Sequence, residues 1–156
     1  MKLITDLKRN CLEPASVALG CFDGIHLGHQ AVIGRAVADK INGLTPSVFT
    51  FQENPLQVLT GNTVPTLLAP DTRNQIFEEI GMEQVFIPSF REVMNLEAET
   101  FIHTVLKQYC KAQKVYCGFN FHFGKGGKAG PKELKQFGAK YGIEVTVVQA
   151  VSLQGG

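Results

Sequence analysis

An apolar run, Val17 to Leu19, breaks at Gly20, passes through Phe22-Asp23-Gly24 and delivers two histidines around one glycine, His26-Leu27-Gly28-His29. Val32, Ile33, Ala36 and Val37 follow at the spacing of one helical face. Buried strand, glycine-rich turn, two imidazoles and helix start, in that order, commit this part of the chain to a strand-to-helix unit whose turn is open to an anion. Free backbone N–H groups and the positive end of the helix dipole attract phosphate at such a junction. The imidazoles add donors that need not carry full charge in the ground state. A single histidine near a glycine is most often an ordinary surface or core residue. The pair at this junction makes polyphosphate binding the stronger reading.

The remaining sequence repeats the same alternation. Residues 1 to 15 read as a lead-in, with Pro14 ending the approach to the first strand. The helix from about Gly28 to Lys40 stops at Asn42-Gly43. Ser47 to Phe51 alternates and is rich in β-branched and aromatic residues, which predicts a second strand, and Gln52 to Pro55 follows as a loop. Leu56 to Leu68 is less regular, with turn signals at Thr60-Gly61-Asn62 and Val64-Pro65. Pro70 suits a first helical position, and the helix it opens runs to Gly81. Gln84 to Pro88 is a short third strand, Glu97 to Tyr109 an amphipathic helix and Lys114 to Gly118 a fourth strand. Gly130-Pro131 starts a helix closed by Gly142, and Ile143 to Val151 is a fifth strand. Strands separated by helix-length crossovers predict a Rossmann-like α/β fold: five strands, mostly parallel, right-handed connections and helices on both faces.

Length and composition agree. A chain of 156 residues with 44% hydrophobic residues suits one domain with a real core, here taken as 1–156. A formal net charge of +1 argues against a broad nucleic-acid footprint and leaves room for a local positive site. No apolar run approaches the ~20 residues that span a membrane, and the N-terminus lacks the apolar stretch of a signal peptide. A cytoplasmic protein is expected. Cys11, Cys21, Cys110 and Cys117 form no Cys-x-x-Cys pair or zinc-like group with histidine and read as reduced structural thiols.

Ligands of open α/β sheets bind beyond the carboxyl ends of the strands. The histidine turn, the loop Thr50 to Pro55 and the stretch Gly118 to Gly130 should therefore converge. In the last, Phe119, Phe121 and Phe123 alternate with Asn120 and His122. That pattern is either a further short strand with a buried phenylalanine face or an aromatic wall beside an amide, which suits a planar heterocycle. Lys125 and Lys128 in the following glycine-rich segment are candidate phosphate contacts. Gly124 to Ala129 fits a loose G-x-G-x-x-A pattern but does not follow the first strand. A P-loop is excluded, because Gly118 to Gly124-Lys125 is one residue too long and Gly126 stands where Ser or Thr is needed.

Gly20-x-Phe22-Asp23-Gly24-x-His26-x-Gly28-His29 resembles the signature of the HxGH nucleotidyltransferases. Thr50-Phe51-x-x-x-Pro55, Thr66-Leu-Leu, Leu96-x-Ala98-Glu99-x-Phe101 and Gly118-x-Asn120-Phe121-x-Phe123-Gly124 follow in order. Together these motifs resemble the FMN adenylyltransferase module of bacterial bifunctional riboflavin kinase/FAD synthetases over essentially the whole chain. The resemblance implies transfer of AMP from ATP to FMN, giving FAD and pyrophosphate. It implies that His26 and His29 contact the ATP phosphates in catalysis, supported by Gly20, Phe22, Asp23, Gly24 and Gly28. It further implies flavin contacts at Phe51, Pro55, Asn120, Phe121 and Phe123. Magnesium would arrive with ATP, with Asp23 a candidate helper whose alternative role is to shape the turn.

The sequence departs from the family pattern at several places. Glu53 and Asn54 stand where a Pro-His pair is usual, Val93 where an aromatic is common, and His122, Gly127 and Lys128 in a segment that usually carries arginines. The family pattern continues into a Ser-Ser-Thr-x-Arg phosphate clamp and a riboflavin kinase module, whereas this sequence stops at Gly155-Gly156. The expectation is a domain without that clamp and without kinase activity. Two alternatives stay open: a flavin- or nucleotide-binding module with little catalysis, and an HxGH nucleotidyltransferase with another phosphorylated acceptor.

Overall fold

The structure, a computed structural model, describes residues 1–8, 13–20, 22, 27–53, 60–61, 69–93 and 95–149, with residues 27–29 and 70 described by backbone alone. Its centre is a six-stranded sheet in the order β1-β4-β3-β2-β5-β6, formed by β1 Lys2–Ile4, β2 Ala15–Leu19, β3 Thr45–Phe49, β4 Gln84–Phe86, β5 Ala112–Gly118 and β6 Glu144–Val148. Every pairing is parallel, and β2 lies between β3 and β5, with Leu19 opposite Phe49 on one side and Cys117 on the other. The α/β class is as the alternation implies, but the sheet has one strand more than expected. β1 is a three-residue edge strand with Lys2 and Leu3 exposed, so it carries no periodic signal and reads as lead-in.

Helix α1, Leu27–Ala38, runs into a 3-10 turn, Asp39–Asn42, that ends at Gly43 with φ +84°. Helix α2, Pro70–Ile80, ends at Gly81 with φ +118°. A short helix α3, Phe90–Val93, is followed by α4, Ala98–Thr100, which continues to Tyr109 as a π-helix over Phe101–Tyr109. The wider winding is visible where the Cys110 N–H donates to the Val105 carbonyl, five residues back, at 2.9 Å. Helix α5, Pro131–Lys140, precedes β6.

The alternation of side chains along each strand makes two cores. On one face Ala18, Val48, Val85 and Tyr116 pack with Val32, Ile33 and Ala36 of α1 and Phe77 of α2. On the other, Val17, Leu19, Val115 and Cys117 pack with Phe101, Ile102, Val105 and Leu106 of the π-helix and Leu134 of α5. Helices thus cover both faces, as expected. Cys110 and Cys117 are buried, and burial pushes the Cys117 thiol up to about 11. Cys11 and Cys21 lie outside the described residues.

The strand order places a switch point between β2 and β5. The chain moves from β2 to β3 to β4 in one direction, then returns to lay β5 on the other side of β2. The segments leaving β2 and β5 diverge there, opening the crevice in which such sheets bind ligands.

Candidate active site

A cavity of about 700 Å³ occupies that crevice. Leu19 and Gly20 border it from the end of β2, Gly118 and Asn120 from the end of β5, and Val32 from α1. Six phenylalanines, Phe22, Phe51, Phe90, Phe101, Phe121 and Phe123, contribute to its wall. Phe121 and Phe123 stack with centroids 5.9 Å apart and planes at 18°, and Phe101 lies 5.6 Å from Phe123. Phe51 meets Phe90 edge-on at 5.0 Å and Phe49 at 5.7 Å. Pairs of this kind contribute about 0.5–1.5 kcal/mol each beyond their burial, so the wall is preorganised. Among the described residues, the polar side chains on the same cavity are Asn95, Asn120, His122 and Lys125. Aromatic faces with a few polar groups at one side suit a flat heterocycle carrying a polar or anionic tail.

Of the residues singled out in the sequence, Gly20, Phe22, Phe51, Asn120, Phe121, Phe123 and Lys125 line this one cavity. Gly28 and His29 belong to the first turn of α1, and Val32, one turn further on, is at the cavity wall. Lys128 is exposed and is not part of that wall. Asp23, Gly24, His26, Pro55 and the Thr66-Leu-Leu motif lie outside the described residues.

The phenylalanine alternation needs correcting. Phe121 N–H donates to the Gly118 carbonyl at 3.2 Å, closing a turn that puts Phe119 and Asn120 at its corner. Phe119 is consequently 52% exposed and leaves the wall, whereas Phe123 is 7% exposed. No strand spans 119–123. Phe123 instead exchanges both backbone hydrogen bonds with Ala129, at 3.0 and 3.1 Å, and so pins the base of the glycine-lysine loop. Gly124, at the start of that loop, has φ +79° and its backbone faces Ala98 of α4 so closely that a Cβ would stand 3.3 Å from the alanine methyl.

Sequence reading misses Phe90, Asn95 and Phe101 as wall residues and notes Val93 only as a departure from the family pattern. Phe101 reads in sequence as the core face of an amphipathic helix, and it does both jobs. Phe90 and Val93 follow β4, and the carboxyl-end rule finds them when it is applied to that strand as to the others.

Among the described residues, no group of three or more His, Cys, Asp or Glu side chains comes together as a metal site. Nor is any helix of these residues long and apolar enough to cross a membrane.

A parallel sheet covered by helices on both faces, with an aromatic cavity at its switch point, defines an open doubly wound α/β domain with a ligand crevice. The FAD synthetase family model matches residues 8–156, and the chain belongs to that family. The bifunctional riboflavin kinase/FMN adenylyltransferase of Bacillus subtilis strain 168 is 40% identical over 124 residues, which cover 76% of this chain and 38% of that protein. A solved structure described as a macrolide-efflux protein from Streptococcus pneumoniae superposes with a TM-score of 0.82 at 28% identity, covering 99% of this chain and 52% of that one. The pantothenate synthetase of Thermus thermophilus, at TM-score 0.58 and 16% identity, shares the fold over 99% of this chain and 63% of its own. The chain thus spans half the length, or less, of the bifunctional relatives it matches.

Proposed function

We propose that residues 1–156 act as one FMN adenylyltransferase domain, transferring AMP from ATP to the phosphate of FMN to give FAD and pyrophosphate. The observation that carries this reading is the aromatic cavity at the β2–β5 switch point, bordered by Val32 of α1. A flavin ring fits between the aromatic faces, with Asn120 beside it for hydrogen bonding, and the phosphate-bearing ends of both substrates fit toward the start of α1. Gly28 and His29 sit in that first turn, where backbone N–H groups have no helical partner and the helix dipole favours anions. Lys125 at the cavity rim supplies a further cation, and Lys128 is a second candidate from the same loop.

The chemistry asks little of the protein in proton transfer. The FMN phosphate is already an anion. Its oxygen forms the new bond to the α-phosphorus of ATP as the bond from that phosphorus to the pyrophosphate oxygen breaks. Catalysis then rests on in-line positioning and on neutralising charge at the α-phosphate and the leaving group. His26 and His29 are the proposed donors to those phosphates, with Gly20, Phe22, Asp23 and Gly24 shaping the turn that carries them. Magnesium would enter as the ATP complex.

The test is FAD and pyrophosphate formation from FMN and MgATP by the full chain. Turnover is expected, and His29→Ala should slow it about 100-fold or more, the loss typical of a removed transition-state donor. FMN binding with no pyrophosphate released would replace the enzyme by a binding module. Near-normal turnover of His29→Ala would remove the catalytic assignment.

A further inference from the structure

We propose that Glu53 is a positioning residue for the flavin side of the cavity: it clasps the segment after β3 to the segment after β4 and so sets the Phe51–Phe90 corner. The inference rests on the reading of this cavity as the FMN site. Past the strand ends the two segments continue to pair through the backbone, Thr50 N–H donating to the Phe86 carbonyl at 3.0 Å and Gln52 N–H to the Pro88 carbonyl at 3.2 Å. The Gln52 side-chain amide adds a bond to the Ile87 carbonyl at 3.0 Å. Beyond Pro88 this pairing gives way to side chains. The Ser89 hydroxyl donates to one Glu53 oxygen at 3.0 Å, and the Phe90 N–H donates to the other at 2.9 Å.

Both carboxylate oxygens are thus used, on two adjacent residues of the opposite segment. Phe90 is the first residue of α3, and its N–H is one of the donors that a helix start leaves without an internal partner. An ionised acceptor there makes a stronger bond than a neutral one. The ring on that same residue stands edge-on to Phe51 at 5.0 Å and 87°, and both rings line the cavity. Glu53 itself is not part of the cavity wall. Its effect on a ligand therefore passes through the two phenylalanines, which marks it as a positioning residue.

The experiment compares wild type, Glu53→Ala, Glu53→Gln and Ser89→Ala in the full chain. FMN affinity is read by flavin fluorescence quenching, steady-state constants by FAD formation, and exchange of the Phe90 amide by NMR. Losing a charge-assisted bond at a positioning group should raise Kd and KM for FMN about tenfold in Glu53→Ala, with kcat and KM for ATP within about twofold. Glu53→Gln, which keeps one acceptor oxygen, should fall between it and wild type. Ser89→Ala, which removes one of the two bonds to Glu53 together with the acceptor of the Arg91 N–H at 3.3 Å, should shift FMN affinity in the same direction by less than Glu53→Ala. Phe90 amide exchange should quicken at least about tenfold in Glu53→Ala, independently of any ligand. Unchanged FMN affinity in Glu53→Ala overturns the proposal, as does an equal rise in KM for FMN and ATP. Absence of FMN binding by wild type overturns the flavin reading itself, and the Phe90 exchange then shows whether the clasp stands without it.

Discussion

Phe22 is where backbone strain, core packing and the cavity meet. Its φ of +51° lies in the left-handed region, which costs a bulky residue of order 1–3 kcal/mol and persists only where its surroundings impose it. The surroundings do: the ring is 1% exposed and stands edge-on to Phe77 at 5.7 Å. The ring also folds back over Gly20, where a Cβ would meet its Cζ at 2.8 Å. Because the ring is wedged between α2 and the turn, it cannot swing away cheaply. Gly20→Ala should therefore lower stability by about 1–3 kcal/mol in urea unfolding, the range of overpacked cores. Trimming the ring in the double variant Gly20→Ala/Phe22→Leu should recover part of that loss. A neutral Gly20→Ala would mean that the close approach does not hold in solution.

At the scale of elements, α4 and α5 meet through one carboxylate. Glu99 accepts from the Lys140 ammonium at 2.7 Å and from the Tyr141 hydroxyl, and His103 on the π-helix lies 4.7 Å from the Tyr141 ring. The Lys140 bond, followed by the Tyr141 bond, holds the Glu99 carboxyl below its ordinary value of 4.5. The native state thus binds fewer protons at this group than the unfolded chain does. Its contribution is complete above the ordinary value and is lost as pH falls through the lowered one. Wild type should lose more of its urea midpoint between pH 6 and about pH 3 than Glu99→Gln does. The difference should be modest, because the pair is partly exposed. Equal slopes would show that the clasp is absent in solution.

Elements are legible where local chemistry decides them. Gly43 and Gly81 stop helices because both adopt φ angles that other residues resist, and Pro131 opens α5 as a first-turn proline does. Strand β1 is not legible, since three residues on an exposed edge leave no period to read. The π winding of Phe101–Tyr109 is hidden too, because its apolar spacing is satisfied nearly as well by an ordinary helix. Phe119 misleads because one turn bond, Phe121 N–H to the Gly118 carbonyl, breaks the alternation, and a pattern of side chains cannot show that bond. Glu53 reads in sequence only as a departure from the family pattern. Its partners, Ser89 and Phe90, are 36 and 37 residues away and out of reach of any local reading.

For the whole molecule the decisive fact is that β2 and β5 serve both cores and the cavity at once. Ala18 and Tyr116 face one core, Val17 and Val115 the other, and Leu19 and Gly118 border the cavity. A ligand seated there touches the ends of both strands, so its binding energy should stabilise the domain as a unit. At a free concentration of 100 times Kd, mass action adds about 2.7 kcal/mol. For a domain of this size each kcal/mol moves Tm by about 2–4 °C, so saturating FMN should raise Tm by about 5–11 °C. Riboflavin, with the ring but without the phosphate, should give a smaller shift at equal concentration if the cavity grips the ring and the start of α1 grips the phosphate. Inorganic phosphate alone should give little, because it leaves the aromatic wall unfilled. An FMN shift no larger than that of phosphate would remove the flavin from this cavity and leave an anion site at the helix start.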